Sequence, residues 1–287
     1  MDLTGKKALI TGVAGALGQG IAQVIAAAGA DLVGVHHDQT AEAEVLVARL
    51  QETGRRVFQL EADISRPEQA AQLVAQSVAA LGQLDIVIIL PHPISPKPFM
   101  EQVEAEWDNA LAVNVAGACY VAQAAARQMV SQGNGGRIIF ISSAASEMPF
   151  HETSLMGTSL AAVNTIAQVA ALELGRYQIT VNVVAPGWIE AAGDDSLHFS
   201  GAVLNHPSAE DIDYITGGIP LGRVGRAQEV GQVCAFLASE AASYVNGVYL
   251  KVDGGYTITK SAGNTPYPGR PAWPTFESGY NPMAADF

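Results

Sequence analysis

Basic residues and cysteines are both scarce in this chain. Fifteen Lys and Arg stand against 28 Asp and Glu, which gives 287 residues a formal net charge of −13. Nucleic acids and anionic membrane surfaces attract basic faces, so the charge argues against both kinds of partner. The two cysteines, Cys119 and Cys234, lie in apolar helical runs and are interpreted as core residues rather than as a disulfide or metal pair.

Targeting signals are also missing from the sequence. The first residues enter directly into an apolar strand without the apolar core of a secretory signal, and we interpret no run as long enough to cross a bilayer. A cytoplasmic location is the resulting expectation. Charged residues make up 15% of the chain and hydrophobic residues 49%, which predicts one large α/β domain with a substantial core.

The amino-terminal segment predicts a strand, a glycine-rich turn, a helix and a second strand. The first strand covers Lys7–Thr11, the turn Gly12–Gly18, and the second strand Asp31–His36. Glycines in such a turn let backbone N–H groups approach a pyrophosphate at the amino end of the helix. This unit therefore predicts a dinucleotide-binding arrangement.

A second segment carries the most information about chemistry. Residues 138–143 read as a buried strand that ends in two hydroxyls, and a long apolar-periodic run from about Thr153 to Leu174 predicts a helix. The segment resembles the active site of the short-chain dehydrogenase/reductase (SDR) family. In that family a serine is followed thirteen residues later by a tyrosine, and four residues after that by a lysine. Ser143 matches the serine, but the other two positions hold Met156 and Leu160.

Those two replacements remove the proton-handling groups that the resemblance implies. The family's tyrosine exchanges a proton with the substrate, and its lysine lowers the pKa of the tyrosine. A thioether has no exchangeable proton and an alkyl side chain has no charge, so neither can replace the pair. The nearest tyrosine downstream, Tyr177, lies beyond the predicted helix in a surface turn.

The resemblance covers about residues 1–257. It implies a Rossmann-like, doubly wound fold with a seven-stranded, mostly parallel sheet and helices on both faces, in a single domain. Residues 258–287 form a separate extension that is rich in proline and aromatic residues. We expect this extension to pack as an arm over a neighbouring subunit or over the mouth of the active site.

For the cofactor, the resemblance implies NAD or NADP. The matching or nearby positions are Thr11, Gly12, Gly15, Leu17 and Gly18 in the loop, His36 after the second strand, Asp63 and Ile64 at the adenine end, and Pro186 and Gly187 on the nicotinamide side.

Three departures from the family pattern weigh against dinucleotide binding. Ala16 occupies the place of the middle glycine, and Gly15 comes one residue early. His36 replaces the acid that binds the ribose, so the sequence does not choose NAD over NADP, and His36 and His37 can also be interpreted as surface-loop residues. The family's Asn-Asn-Ala-Gly turn is replaced by residues 89–92, Ile-Leu-Pro-His.

Other polar residues near the expected cleft are Asn114, His92 and His151. Asn114 resembles the family's helix-kinking asparagine, and we favour the kink as its role. His151 lies five residues before Met156, so His151 or His92 could serve acid–base chemistry with Ser143, although a loop histidine is the plainer interpretation. No metal site is predicted.

Three functional hypotheses follow from this pattern. The first is a non-catalytic subunit in a homo- or hetero-oligomer of SDR-type chains. The second is non-hydride chemistry (lyase, hydratase or dehalogenase-like) in the same cleft. The third is an NAD(P)-dependent alcohol/ketone oxidoreductase with a relocated proton donor. Trp188 and Met156 suggest a small apolar ligand in any of the three.

Overall fold

The computed structural model describes residues 1–190, 196–199, 202–204 and 207–259. The strands of its main sheet are β1 (Lys7–Thr11), β2 (Asp31–His36), β3 (Val57–Glu61), β4 (Ile86–Ile89), β5 (Gly136–Ile141), β6 (Ile179–Pro186) and β11 (Tyr249–Val252). They lie in the order β11-β6-β5-β4-β1-β2-β3, and every neighbouring pair is parallel. The predicted seven-stranded Rossmann-like sheet is confirmed.

Eight α-helices lie in the described part of the chain. They are α1 (Ala16–Ala27), α2 (Thr40–Gln51), α3 (Pro67–Leu81), α4 (Glu104–Ala110), α5 (Ala118–Gln132), α6 (Ser154–Leu174), α7 (Ala209–Gly217) and α8 (Ala227–Ala238). The first apolar core lies between one sheet face and α1, α2 and α8, and the second between the other face and α3, α5 and α6. Strands covered on both faces need apolar residues throughout, as in β4, where all four residues are buried.

A small second sheet was not predicted. It contains β7 (Trp188–Glu190), β8 (Leu197–Phe199), β9 (Ala202–Leu204) and β10 (Gly225–Arg226), in the order β10-β7-β8-β9. Strands of two or three residues are too short to give a periodic signal in the sequence. The sheet places Leu197 and Phe199 over the carboxyl end of the main sheet.

The length of α6 corrects one expectation from the sequence. The stretch Ser154–Tyr177 is long and apolar enough to cross a membrane by length and composition alone. Its apolar residues have a different explanation, because Val163, Ala167 and Ala171 are buried against the main sheet. The helix begins and ends within a residue of its predicted bounds.

The remaining sequence expectations concern the cysteines and the carboxyl-terminal extension. Cys234 is fully buried, as expected for a core residue, whereas Cys119 on α5 is only half-buried, and both are free thiols. The chain forms a 3-10 turn at Tyr256–Thr259. Residues 260–287, which make up nearly all of the expected arm, lie outside the described residues.

Candidate functional site

Ser143 lies just after β5 and is completely buried. Its hydroxyl oxygen accepts a hydrogen bond of 2.7 Å from the backbone N–H of Ala145, which caps the 3-10 turn Ala144–Ser146. Its carbonyl oxygen accepts hydrogen bonds from Tyr249 Oη at 2.6 Å and from Ser146 Oγ at 2.7 Å. The serine therefore helps to hold the loop between β5 and α6 in shape.

Met156 and Leu160 occupy successive turns at the start of α6, with exposed fractions of 3% and 1%. Both belong to an apolar cluster that we name the lid cluster, because it joins α6 to the small sheet and α7. Its buried members are Ala144, Ala145, Met156, Leu160, Leu197, Phe199, Ile215, Ile219 and Tyr256. At these two positions the structure places packing side chains, with no group that can donate or accept a proton.

Aromatic rings close the lid cluster over this part of α6. Phe199 packs edge-on against Phe150, with ring centroids 4.7 Å apart, and lies 4.6 Å from the Trp188 ring. Tyr256 stacks parallel to Phe150 at 5.8 Å. Such pairs stabilise packing beyond the area that they bury. Trp188 and Met156 thus lie in apolar surroundings, and the small apolar ligand that they suggest stays a prediction.

Two phenols inside this cluster were missed by sequence reasoning. Burial, together with the nearby Tyr256, raises the pKa of Tyr214 to about 12, and burial also raises the pKa of Tyr256. Both phenols therefore stay protonated at neutral pH. The Tyr214 hydroxyl and the Trp188 indole nitrogen are buried, and neither has a hydrogen-bond partner of good geometry among the described residues. Tyr256 comes directly after Asp-Gly-Gly at the end of the last strand, and that position was the one available sequence signal.

A polar network supports the Ser143 loop from the α6 side. Ser146 Oγ lies 2.9 Å from Tyr249 Oη and accepts a hydrogen bond of 2.9 Å from Asn164 Nδ2. Burial raises the pKa of Tyr249 to about 12, with further contributions from the negative charges of Glu147 and Asp253. This network joins β11, the loop and α6.

Asn114 lies in a π-helical turn, Leu111–Gly117, between α4 and α5. Its amide makes two hydrogen bonds with the backbone of His92: Oδ1 accepts from the N–H at 2.7 Å, and Nδ2 donates to the carbonyl at 3.1 Å. The chain stays helical from α4 through this turn into α5. The contacts agree with a structural role for Asn114, which fixes the turn after β4.

The two histidines considered for acid–base chemistry lie at the surface. His151 is exposed in the turn before α6, whereas Ser143 is completely buried. His92 is exposed after β4, and partial desolvation lowers its pKa, with a smaller contribution from the positive charge of His37. Neither histidine shares the buried environment of the Ser143 hydroxyl.

The glycine-rich loop keeps the shape that a pyrophosphate needs. Gly12 has a φ of +67° and is exposed, and a Cβ at Gly18 would lie 2.1 Å from the Gly12 carbonyl oxygen. No side chain caps the amino end of α1, where Gly15 is the exposed capping residue. Ala16 and Leu17 are half-buried in its first turn. An uncapped helix end offers free N–H groups to an anion.

The loop is also tied to the neighbouring strand. Thr11 Oγ1 accepts a hydrogen bond of 2.9 Å from the backbone N–H of Leu90, directly after β4. A Cβ at Gly12 would lie 3.2 Å from the Leu90 Cβ. Leu90, which replaces an asparagine of the family pattern, thus packs beneath the turn with an apolar side chain.

The structure corrects the interpretation of His36 as a surface-loop residue. It is the last residue of β2 and only 4% exposed, and its Nδ1 has no hydrogen-bond partner among the described residues. His37, the next residue, does lie at the surface with 54% of its side chain exposed. A strand-end side chain becomes buried when the neighbouring turn and strand cover it, which local sequence does not reveal.

At the expected adenine end, Asp63 is engaged in local hydrogen bonds. Its Oδ1 accepts from the Ser65 hydroxyl at 2.6 Å and from the Ser65 N–H at 3.0 Å, and its Oδ2 lies 3.2 Å from Arg66 Nε. The Ser65 hydroxyl is the largest cause of the lowered pKa of Asp63. Ile64 packs under Gly117, where a Cβ would lie 2.9 Å from the Ile64 carbonyl oxygen.

On the expected nicotinamide side, Pro186 ends β6, in register with Val252 of β11. A Cβ at Gly187 would lie 2.8 Å from the Asp253 Cβ, so this position needs glycine for strand packing. The residues present thus fit the pyrophosphate half of a dinucleotide site. At the other half, the Tyr and Lys positions hold buried apolar side chains.

Comparison with known proteins agrees with this architecture. Residues 12–257 match the family model described as enoyl-(acyl carrier protein) reductase. The chain belongs to the short-chain dehydrogenase/reductase family. Its relatives place it among the SDR oxidoreductases.

Several relatives illustrate the SDR membership. The chain is 35% identical over 255 residues to 2-dehydro-3-deoxy-D-gluconate 5-dehydrogenase of Dickeya dadantii, covering 89% of this chain and 96% of the relative. It is 34% identical to the hydroxynaphthalene reductase-like protein Arp2 of Metarhizium robertsii, covering 88% and 96%. A solved short-chain dehydrogenase/reductase from Serratia marcescens has a TM-score of 0.80 at 29% identity, covering 90% and 100%.

Proposed function

We propose that this SDR chain is a non-catalytic subunit of an SDR-type assembly. The single observation that carries the proposal is the burial of Met156 and Leu160 in the lid cluster, at 3% and 1% exposure. Proton transfer at a substrate oxygen needs an exchangeable proton held at that oxygen. The side chains at these two positions have none, and they belong to one buried cluster with the rings of Phe199 and Tyr256.

The state of Ser143 supports the same proposal. A serine that binds a substrate oxygen must present its hydroxyl to the cleft, but here the residue is completely buried. This observation also weakens the alternative of lyase, hydratase or dehalogenase-like chemistry with His151 or His92.

The subunit proposal includes a contact surface on α5 and α6. A groove of about 700 Å³ runs between these helices and is lined mainly by apolar residues, with Arg127 and Glu173 among its few charged residues. Val169 lines it with 48% of the residue exposed. Exposed apolar patches of this kind commonly mark protein contacts. We propose that another SDR-type chain, identical or paralogous, covers this groove in the cytoplasm.

A dinucleotide remains compatible with part of the site. Gly12, the close packing at Gly18 and the uncapped end of α1 would hold a pyrophosphate of NAD or NADP. When bound, the cofactor supplies hydride chemistry, which this chain does not support at residues 156 and 160. The subunit could therefore bind a dinucleotide without turning it over.

The experiment has two arms on the full-length chain. Calorimetric titration with NAD⁺, NADH, NADP⁺ and NADPH tests binding, and following nicotinamide absorbance with ketone and alcohol panels tests turnover. We expect no turnover by the chain alone. Co-expression with SDR paralogues should give an assembly of fixed stoichiometry, or, for a homo-oligomer, self-assembly without turnover. Turnover by the purified chain would refute the proposal.

The buried phenol of Tyr256 favours a second candidate, an NAD(P)-dependent oxidoreductase with a relocated proton donor. This phenol belongs to the same cluster as Met156 and Leu160 and carries an exchangeable proton, but burial raises its pKa and makes it a weaker acid than the family's tyrosine. If turnover were found, Tyr256→Phe should abolish it. Tyr244→Phe, at a fully exposed position outside the cluster and the groove, is the matched control and should leave it unchanged.

A further inference from the structure

Three side chains with metal-binding atoms converge where β2 and β3 end. His37, Asp38 and Glu61 each offer one donor atom, and these atoms all lie within 4.8 Å of one another. His37 Nε2 lies 3.2 Å from Asp38 Oδ2. Within the described residues this is the sole grouping of three such side chains.

A buried imidazole adds an independent observation. His36 is 4% exposed, and its Nδ1 makes no hydrogen bond within the described part of the chain. His36 and Glu61 are partners in the parallel register of β2 and β3, so their side chains leave the same face of the sheet. A buried nitrogen without a partner is costly. The His36 nitrogens lie outside the 4.8 Å grouping, so His36 is a buried neighbour of the group and is not counted among its ligands.

We propose that His37, Asp38 and Glu61 form a site for a divalent transition-metal ion, with Zn²⁺ as the best match. Imidazole nitrogen and carboxylate oxygen are both ligands that Zn²⁺ accepts, and three protein ligands with one water complete a tetrahedral shell. Mg²⁺ and Ca²⁺ prefer shells made of oxygen alone, which an imidazole disfavours. The two carboxylates give the ligand set a net charge of −2, which balances the charge of a divalent ion.

The position of this metal site relates it to cofactor binding, which the subunit proposal does not require. It lies at the end of β2, where the SDR resemblance expects an acid that binds the cofactor ribose, and beside β3, which leads to Asp63. An ion here would occupy the adenosine end of the cleft. The site does not depend on whether the chain transfers hydride, so the two proposals fail separately.

The test is a calorimetric titration of the full-length chain with ZnCl₂ in a non-chelating buffer. We expect one ion per chain for the wild type, and binding at least tenfold weaker for His37→Ala and for Glu61→Gln, since even a group that only orients a ligand is worth about 10- to 100-fold in affinity. His36→Gln, which changes a buried neighbour and no ligand, should bind as the wild type does. Matched controls are His151→Ala and Glu152→Gln, an exposed histidine and an exposed acid in the turn before α6, which should bind as the wild type does.

Thermal melts with and without ZnCl₂ provide a second readout. Zn²⁺ should raise the midpoint of the wild type and of both controls, but not that of Glu61→Gln. Equal binding by wild type, His37→Ala and Glu61→Gln would overturn the proposal, as would an equal loss in the His151→Ala control. A His36→Gln variant that fails to fold leaves the two surface variants to decide.

Discussion

The hydroxyl of Tyr249 donates a hydrogen bond of 2.6 Å to the carbonyl oxygen of Ser143, across 106 positions of the chain. The bond joins the edge strand β11 to the loop after β5, with β6 between them. It thereby fixes the entry to α6, where Met156 and Leu160 lie.

Removing this hydroxyl should weaken the whole domain. Tyr249→Phe loses the bond to Ser143 and the contact with Ser146, which we expect to lower the free energy of unfolding by about 1–2 kcal/mol. Urea denaturation measures the change. Tyr244→Phe is the matched control, because Tyr244 is fully exposed. A loss of equal size in both variants would contradict the role assigned to Tyr249.

Lowering the pH should remove the contribution of Asp31 to the stability of the fold. Burial alone would raise the pKa of this carboxyl, but hydrogen bonds from Lys7 and Arg56 outweigh it and lower the pKa to about 2 from its ordinary value of 3.8. A depressed pKa gives stability that is present above about pH 4 and lost as the pH falls towards 2. Asp31→Asn should therefore cost up to about 2 kcal/mol at pH 7, because partly exposed ion pairs are screened.

The corresponding measurement is urea unfolding of wild type and Asp31→Asn at several pH values. The difference in their free energies of unfolding should stay constant from pH 7 to 5. It should shrink below pH 4, down to the lowest pH at which both proteins remain folded. Asp213→Asn, at an exposed position on α7, serves for comparison. A gap that does not change with pH would exclude the ion pairs as its cause.

The glycine-rich loop offers a matched pair of substitutions. A Cβ at Gly18 would lie 2.1 Å from the Gly12 carbonyl oxygen, whereas one at Gly15 would lie 3.7 Å from the same atom, an ordinary contact. Gly18→Ala should destabilise the fold by about 2 kcal/mol or more, because backbone has to move. Gly15→Ala should change stability by less than about 1 kcal/mol. Thermal unfolding measures the stability of both variants. Similar melting points would show that the loop is not closely packed.

Restoring the family lysine should harm this protein. Leu160→Lys places a charge in the lid cluster, where the described residues include no acidic member, and we expect it to cost at least about 3 kcal/mol. Met156→Leu keeps the volume and should cost less than about 1.5 kcal/mol. Circular dichroism melts compare the two. A fully stable Leu160→Lys protein would mean that residue 160 faces an open polar cleft.

The groove between α5 and α6 gives a prediction about assembly. Val169→Glu introduces a charge into the groove and should shift the protein towards monomers, as measured by sedimentation velocity. Val45→Glu adds the same charge at an exposed position on α2 and should leave the mass unchanged. If the purified wild type is a monomer, Val169→Glu and Val45→Glu should instead be compared for their binding to an SDR paralogue.

Much of the fold could be predicted from local pattern. The apolar runs of β1 and β2 and the periodicity of α6 identify those elements within a residue, because each depends on its own side chains. The burial of His36 and the bond from Tyr249 to Ser143 could not be predicted, since both depend on segments that are distant in the sequence. The loss of the Tyr and Lys pair at residues 156 and 160 was visible at once, but the aromatic cover over them was not.

The strand order has a consequence for how the chain is made. After β4 pairs with β1, each later strand of the main sheet joins the outer edge in chain order: β5, then β6, then β11. During synthesis the loop that carries Ser143 therefore emerges more than a hundred residues before Tyr249, which secures it. A nascent or truncated chain that stops before residue 249 has an open sheet edge at β6 and an unsecured loop, so it presents chaperones and proteases with a surface that the finished protein hides.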